Sequence, residues 1–254
     1  MEYISVEEAI DAPGLRLVLS AGVPGPWGEA AKAMLAYKGL AYTPVRQDGG
    51  GENAALLSWT GQTSAPVAVY DGLPPACHWF DLLMLLERLA PEKPLVPVDC
   101  GQRVEVLGLS GLIIGMDGFG WHRRLQMLAP MLQLDKPPEM IVRLGAKYGW
   151  STQALAAATG RLQGISTYLD ATMARQESAG SDYLVGDSVT AVDFYWANFA
   201  AMLKPLPDAD NPMPGYMRTS YETADAETRA CLTPRLEAHR DRMYQRHIAL
   251  PLDF

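Results

Sequence analysis

Leu15–Ser20, LRLVLS, is a short apolar run with one charge, which predicts a buried strand. The pattern then changes. From 27 to 38 the apolar residues Ala30, Ala31, Met34, Leu35 and Ala36 recur at helical spacing, with Pro26 suited to the first turn and Gly39 to the C-terminal cap. Residues 41–45, AYTPV, predict an edge strand, because Pro44 has no N–H to give to a ladder. Residues 66–70, PVAVY, predict another strand, and Asp71-Gly72 a hairpin turn with a second short strand beyond it. Residues 79–89 predict a helix stopped by Pro91 and Pro94. With one further helix between the second and third strands, the order to this point is strand, helix, strand, helix, strand, strand, helix. The first fourteen residues predict an arm, in which Ser5 and Glu8 cap one short helical turn ended by Pro13-Gly14.

After Pro97 only helical patterns remain: 102–128, 138–148, 152–175, 191–203, 221–230 and 234–248, separated by loops such as PLPDADNPMPG. The expected organisation is an arm over 1–14, a small α/β unit over 15–92, a boundary near 91–101 and an all-helical unit over 101–254.

Composition narrows the functional classes. A chain of 254 residues buries enough surface to fold without disulfides or a metal. Its net charge of −8 argues against nucleic acid and against a polybasic membrane anchor. Cys77, Cys100 and Cys231 are far apart and outside any zinc or CxxC spacing, which points to reduced thiols. The acidic start MEYISVEEAIDAPG is unlike a signal peptide, and no run reaches the length of a membrane span, so a cytoplasmic protein is expected. Four histidines without HExxH or a tight cluster predict no metal, and Gly49-Gly50-Gly51 lacks the Lys-Ser/Thr of a phosphate loop.

The most specific local signal is Gly186-Asp187-Ser188-Val189-Thr190-Ala191-Val192-Asp193-Phe194. Thr190 at the N-cap and Asp193 at N3 predict a capping box, with Val189 and Phe194 as a hydrophobic staple. Preceded by Tyr183-Leu184-Val185-Gly186-Asp187, this segment resembles the buried folding motif of the cytosolic glutathione transferases. Ser64-Ala65-Pro66-Val67-Ala68-Val69-Tyr70-Asp71-Gly72 resembles that family's strand opened by a cis-proline and closed by Asp-Gly, and the element order is that of its thioredoxin-like domain. The resemblance covers residues 15–204.

It implies a thioredoxin-like domain followed by an all-helical one, glutathione as co-substrate, a hydrophobic electrophile in the interdomain cleft and a homodimer. Aligned on Gly39, the family's catalytic Ser or Cys falls at Gly25 or Pro26 and its Tyr alternative near Ala21, so the loop AGVPGPWG carries no hydroxyl or thiol. The catalytic candidates are therefore Ser20 beside the loop, Gly25 within it, and the helix start at Trp27, whose free N–H groups and dipole can stabilise a thiolate. Ser20 reads equally well as a strand-end hydroxyl.

The resemblance places glutathione on Gln62, Ala65 and Pro66. At the start of the next helix, where the family has an acidic residue and Ser, this chain has His78-Trp79, with Asp81 following. Met116, Trp121, Met127 and Arg124 are candidates for the acceptor pocket, against plain core packing for the apolar three. The pair Arg123-Arg124 suits an anionic acceptor or a solvated basic turn. Three functions stay open: a glutathione-dependent enzyme (a transferase, or a related isomerase or reductase), a catalytically quiet binding protein for a hydrophobic metabolite, and a protein-interaction module.

Overall fold

The computed structural model describes residues 1–254. Its N-terminal part is built on α1 (Val6–Asp11), β1 (Leu15–Ser20), α2 (Pro26–Lys38), β2 (Thr43–Gln47), α3 (Ala54–Thr60), β3 (Val67–Tyr70) and α4 (Trp79–Leu89). The sheet runs β2-β1-β3, with β1 parallel to β2 and antiparallel to β3. Leu17, Val18 and Leu19 are buried because helices cover both faces of the central strand, hence the unbroken apolar run. Gly39 closes α2 in the left-handed conformation, φ 72°.

Three expectations need correction here. The second strand begins at Thr43, two residues later than expected, because Leu40–Tyr42 returns the chain from the Gly39 cap. The strand expected after Asp71-Gly72 shrinks to one bridge, Ala68 to Ala76, since Pro74 and Pro75 have no N–H with which to extend a ladder. The first fourteen residues are no free arm. The Ile4 amide donates to Pro44 O at 3.1 Å and the Arg46 amide to Ile4 O at 3.0 Å, so residue 4 lies along the outer edge of β2. The Ser5–Glu8 capping box forms, and α1 buries Val6 and Ala9 in a cluster with Val18, Val45 and Leu56.

The remainder is helical: α5 (Cys100–Ile114), α6 (Phe119–Leu132), α7 (Glu139–Lys147), α8 (Thr152–Ser178), α9 (Ala191–Ala200), α10 (Gly215–Glu222), α11 (Ala226–Ala230) and α12 (Pro234–Arg246). The helix expected over 102–128 is two helices. Gly115-Met116-Asp117-Gly118 breaks it, with Asp117 at φ 58°. At this turn, a Cβ on Gly115 would meet Gly111 O at 2.6 Å and one on Gly118 would meet Leu112 O at 2.8 Å. Apolar periodicity continues across the break, which hides it. The helix expected over 221–230 is also two, because Asp225 starts a new one by accepting the Thr228 amide at 2.7 Å.

Every residue of α9 is buried, and the helix packs against α2, α5 and α12. Its start is closed by Asp193, which has no exposed surface. Oδ2 accepts the Thr190 amide at 2.8 Å and the Thr190 hydroxyl at 2.9 Å. Oδ1 accepts the Leu184 amide at 2.8 Å and lies 3.1 Å from Nε2 of fully buried His239.

Gly120 on α6 is packed against rings from both parts of the chain. A Cβ there would stand 2.2 Å from Phe199 Cε1 and 3.0 Å from Trp27 Cζ2. Phe199 is fully buried and stacks edge-on to half-buried Trp27 at 4.7 Å, so Phe199 cannot move away without displacing its neighbours. Gly120→Ala is expected to cost about 1–3 kcal/mol through overpacking. A thermal melt checks this; an unchanged Tm would mean the rings repack freely.

Candidate functional site

Two adjoining cavities lie between the sheet-bearing part and the helices, and both are lined by Trp27, Gln62, Ser64, Ala65, Lys147 and Tyr148. The narrower, about 210 Å³, adds Pro66, His78, Trp79, Met116, Trp121 and Tyr195. The wider, about 760 Å³, adds Ser20, Gly25, Arg124, Leu128, Ile141 and Phe254. The structure thus gathers most of the sequence candidates around one cleft. Asp81 and Met127 are the exceptions, Asp81 exposed on the first turn of α4 and Met127 buried in the core, both outside the cavity walls.

The loop before α2 holds its shape by backbone bonds. Gly25 is the N-cap with φ −69° and ψ 127°, and its amide donates to Val23 O at 2.7 Å. The Tyr221 hydroxyl, reaching across from α10, donates to Pro24 O at 3.3 Å. Pro26 has no N–H, and the amides of Trp27 and Gly28 meet no backbone acceptor, as expected for a first helical turn. The Ser20 hydroxyl donates to Gln47 Oε1, and Gln47 in turn donates to Asp48 O and Thr63 O, so this hydroxyl is fixed in a loop network. Trp27 likewise has its indole N–H on Ile114 O at 3.2 Å, which ties α2 to α5.

The Ala65–Pro66 peptide is cis. Ala65 lines both cavities, and neither its N–H nor its C=O enters a hydrogen bond within the chain. Gln62 folds over its own loop, its Oε1 accepting the amides of Thr63 at 2.9 Å and Ser64 at 3.2 Å. His78 is the N-cap of α4 without a side-chain cap bond, leaving that first turn open beside Trp79. Cys77, also on the narrower wall, donates to Thr60 O, and burial together with the Asp81 charge pushes its thiol pKa up. It does not supply a ready thiolate.

Arg123 and Arg124 part company. Arg123 is buried and donates to Met202 O at 2.8 Å, Tyr221 O at 3.2 Å and Thr223 O at 2.7 Å, a structural cation rather than half of a clamp. Arg124 faces the wider cavity, its guanidinium 5.7 Å from the Trp27 ring centre and 5.8 Å from that of Tyr221. Trp121 stacks edge-on to Tyr148 at 4.7 Å on the narrower wall, and Met116 is largely exposed at its rim. Met127 is simply core.

Sequence reasoning missed Lys147, Tyr148, Tyr195 and Tyr221. Tyr195 is buried, its hydroxyl meets no partner, and burial raises its pKa so that it stays a hydroxyl. Its signal was masked, because FYWANFA reads as uniform core. Lys147 keeps its stem exposed while its ammonium bonds Ser64 Oγ at 2.7 Å; burial of that end, with the Arg124 cation near, lowers its pKa to about 8. No cluster of His, Cys, Asp or Glu that could hold a metal is present.

No protein-family model matches the sequence, and no curated protein matches it. Solved structures do. A glutathione S-transferase of Methylobacterium radiotolerans, in complex with glutathione sulfonate, aligns with a TM-score of 0.63 at 18% identity over 94% of this chain and 97% of its own. A rice glutathione transferase in complex with glutathione gives 0.60 at 18% identity, covering 95% of this chain and 93% of its own. A beta-etherase of Sphingobium gives 0.59 at 19% identity, with 90% and 99% covered. The fold is a thioredoxin-like domain followed by the helical domain of the glutathione transferases.

Proposed function

We propose, for a chain built on the glutathione-transferase fold, that it binds glutathione or a related thiol in the narrower part of the cleft and transfers it to a hydrophobic electrophile in the wider part. The observation that carries this reading is Ala65. Its unpaired main-chain N–H and C=O stand on the wall common to both cavities, as a peptide ligand needs. The open first turn of α4 at His78 and Trp79 can take a carboxylate, and the partnerless Tyr195 hydroxyl offers one further donor. The free amides of Trp27 and Gly28 and the positive end of α2 act on the sulfur. A thiol with an ordinary pKa of about 8.5 needs only a modest downward shift to ionise near neutrality. The sulfur then bonds to the electrophilic carbon, the leaving group departs with its electron pair, and the thiol proton passes to solvent.

Isothermal titration with glutathione tests this. Saturable binding in the micromolar to millimolar range is expected, and no heat at millimolar glutathione would overturn it. The absence of any hydroxyl or thiol in 21–28 favours a second reading, a binding protein that holds a hydrophobic metabolite without reacting it. A conjugation assay with 1-chloro-2,4-dinitrobenzene separates the two, since only the enzyme turns over.

The division into units meeting near 91–101 and a cytoplasmic location belong to the same proposal. So does a homodimer, which is supported by exposed Phe80 on α4, Val98 just before α5 and Val104 in its second turn, apolar side chains this chain leaves uncovered. Such an interface buries more than about 1,000 Å². Sedimentation at tens of micromolar is expected to give the dimer mass, and a monomer there would refute it.

A further inference from the structure

The wall of the wider cavity carries four cationic side chains, Lys32, Arg124, Arg143 and Lys147, against two acidic ones, Glu29 and Glu52. Glu29 is taken by Lys32 at 2.7 Å. Arg143 is held by Glu139 at 3.5 Å and donates to Gly50 O. Arg124 and Lys147 are left without any carboxylate partner. Arg124 has a buried Nε that meets no acceptor, whereas Arg123 beside it is saturated by backbone carbonyls. The two cations without a carboxylate flank one aromatic patch: Arg124 lies over Trp27, Trp27 is 6.1 Å from Tyr148, and Lys147 lies 5.4 Å over Tyr148. A buried donor without an acceptor is costly, and a cation in such a place favours an anion that arrives with the ligand. The surrounding wall is apolar, with Leu128, Ile141, Leu144 and Met217. The matching ligand has an apolar body and one acidic group.

We propose that Arg124 and Lys147 form the carboxylate subsite for the acceptor, so that the electrophile is an amphipathic aromatic or alkyl carboxylic acid rather than a neutral hydrophobe. This rests on the thiol-transfer reading above. Arg124 takes the carboxylate through its guanidinium while Trp27 and Tyr221 support the flat face of the cation, and Lys147 closes from the Ser64 side.

The test uses the whole chain and two unreactive probes of one shape, 2-naphthoate and 2-naphthamide, titrated calorimetrically with and without glutathione. The naphthoate is expected to bind at least about tenfold more tightly than the amide. Arg124→Gln is expected to erase most of that preference, Lys147→Gln part of it, and Arg124→Lys to restore some, with naphthamide affinity unchanged throughout. Lys147→Gln changes an exposed side chain, so it remains informative if Arg124→Gln disturbs packing. Equal binding of both probes to a protein that binds glutathione would overturn the subsite and leave the transferase reading intact. A naphthoate preference without glutathione binding would support the subsite and overturn the transfer reading. Loss of naphthoate binding at saturating glutathione would also overturn the acceptor assignment, because the cations would then hold the tripeptide's own carboxylate.

Discussion

Asp193→Ala is expected to lose about 3–5 kcal/mol of folding stability, the range for removing one partner from a buried charged network. Its two oxygens accept the Leu184 amide, the Thr190 amide and the Thr190 hydroxyl, and Oδ1 also faces His239. Alanine would leave all of these donors buried without acceptors, and each orphan costs about 1–3 kcal/mol before relaxation. The damage would reach beyond one cap, because the carboxylate ties the 183–187 turn, α9 and α12 into one unit. Thr190→Ala removes one hydroxyl bond and is expected to cost only about 1 kcal/mol. Urea unfolding monitored by circular dichroism measures both. A small loss for Asp193→Ala would show that water or a shifted backbone can satisfy those donors.

Gly25→Ser is expected to raise the conjugation rate about ten- to a hundredfold, since a hydrogen bond to a charged group is worth about 1.5–3 kcal/mol. The geometry permits it. Gly25 has negative φ, and a Cβ built there meets nothing nearer than Val23 Cγ1 at 3.9 Å. Serine is also a better N-cap than glycine by a few tenths of a kcal/mol, so Tm should hold or rise slightly. The checks are turnover with a generic electrophile and the pH dependence of thiolate absorbance, in both proteins. If neither protein binds glutathione or turns over, AGVPGPWG is a structural turn and the binding-protein reading takes its place.

The two parts of the fold and the starts of most helices were legible because caps and period are local. Thr190 and Asp193 announce α9 within four residues, and Gly39 announces the end of α2 by a conformation few other residues adopt. The break between α5 and α6 was not legible, because Gly115 and Gly118 are demanded by carbonyls packed against them, not by any change of period. The site divides along the same line. Ala65, Pro66 and the emptied loop are sequence-local features. Lys147 reaches Ser64 across 83 positions and Tyr221 reaches Pro24 across 197, so neither role is written near the residue that performs it. Arg123 and Arg124 look alike in sequence, and only the carbonyls around one of them assign their different tasks.

The residue lying along β2 has a consequence for assembly. Ile4 occupies the free hydrogen-bonding edge of β2, while Ala76 bridges the outer side of β3 through bonds of 3.1 and 2.8 Å. Both borders of the sheet are therefore capped by the chain itself, and a foreign strand finds only a short unpaired stretch to zip onto. Two copies growing one continuous sheet, the route by which exposed strands template fibres and domain swaps, is closed unless residues 1–12 peel away. Any lasting contact between copies then falls to helices, whose side chains can be tuned one at a time, and the integrity of a dozen N-terminal residues becomes a safeguard of solubility.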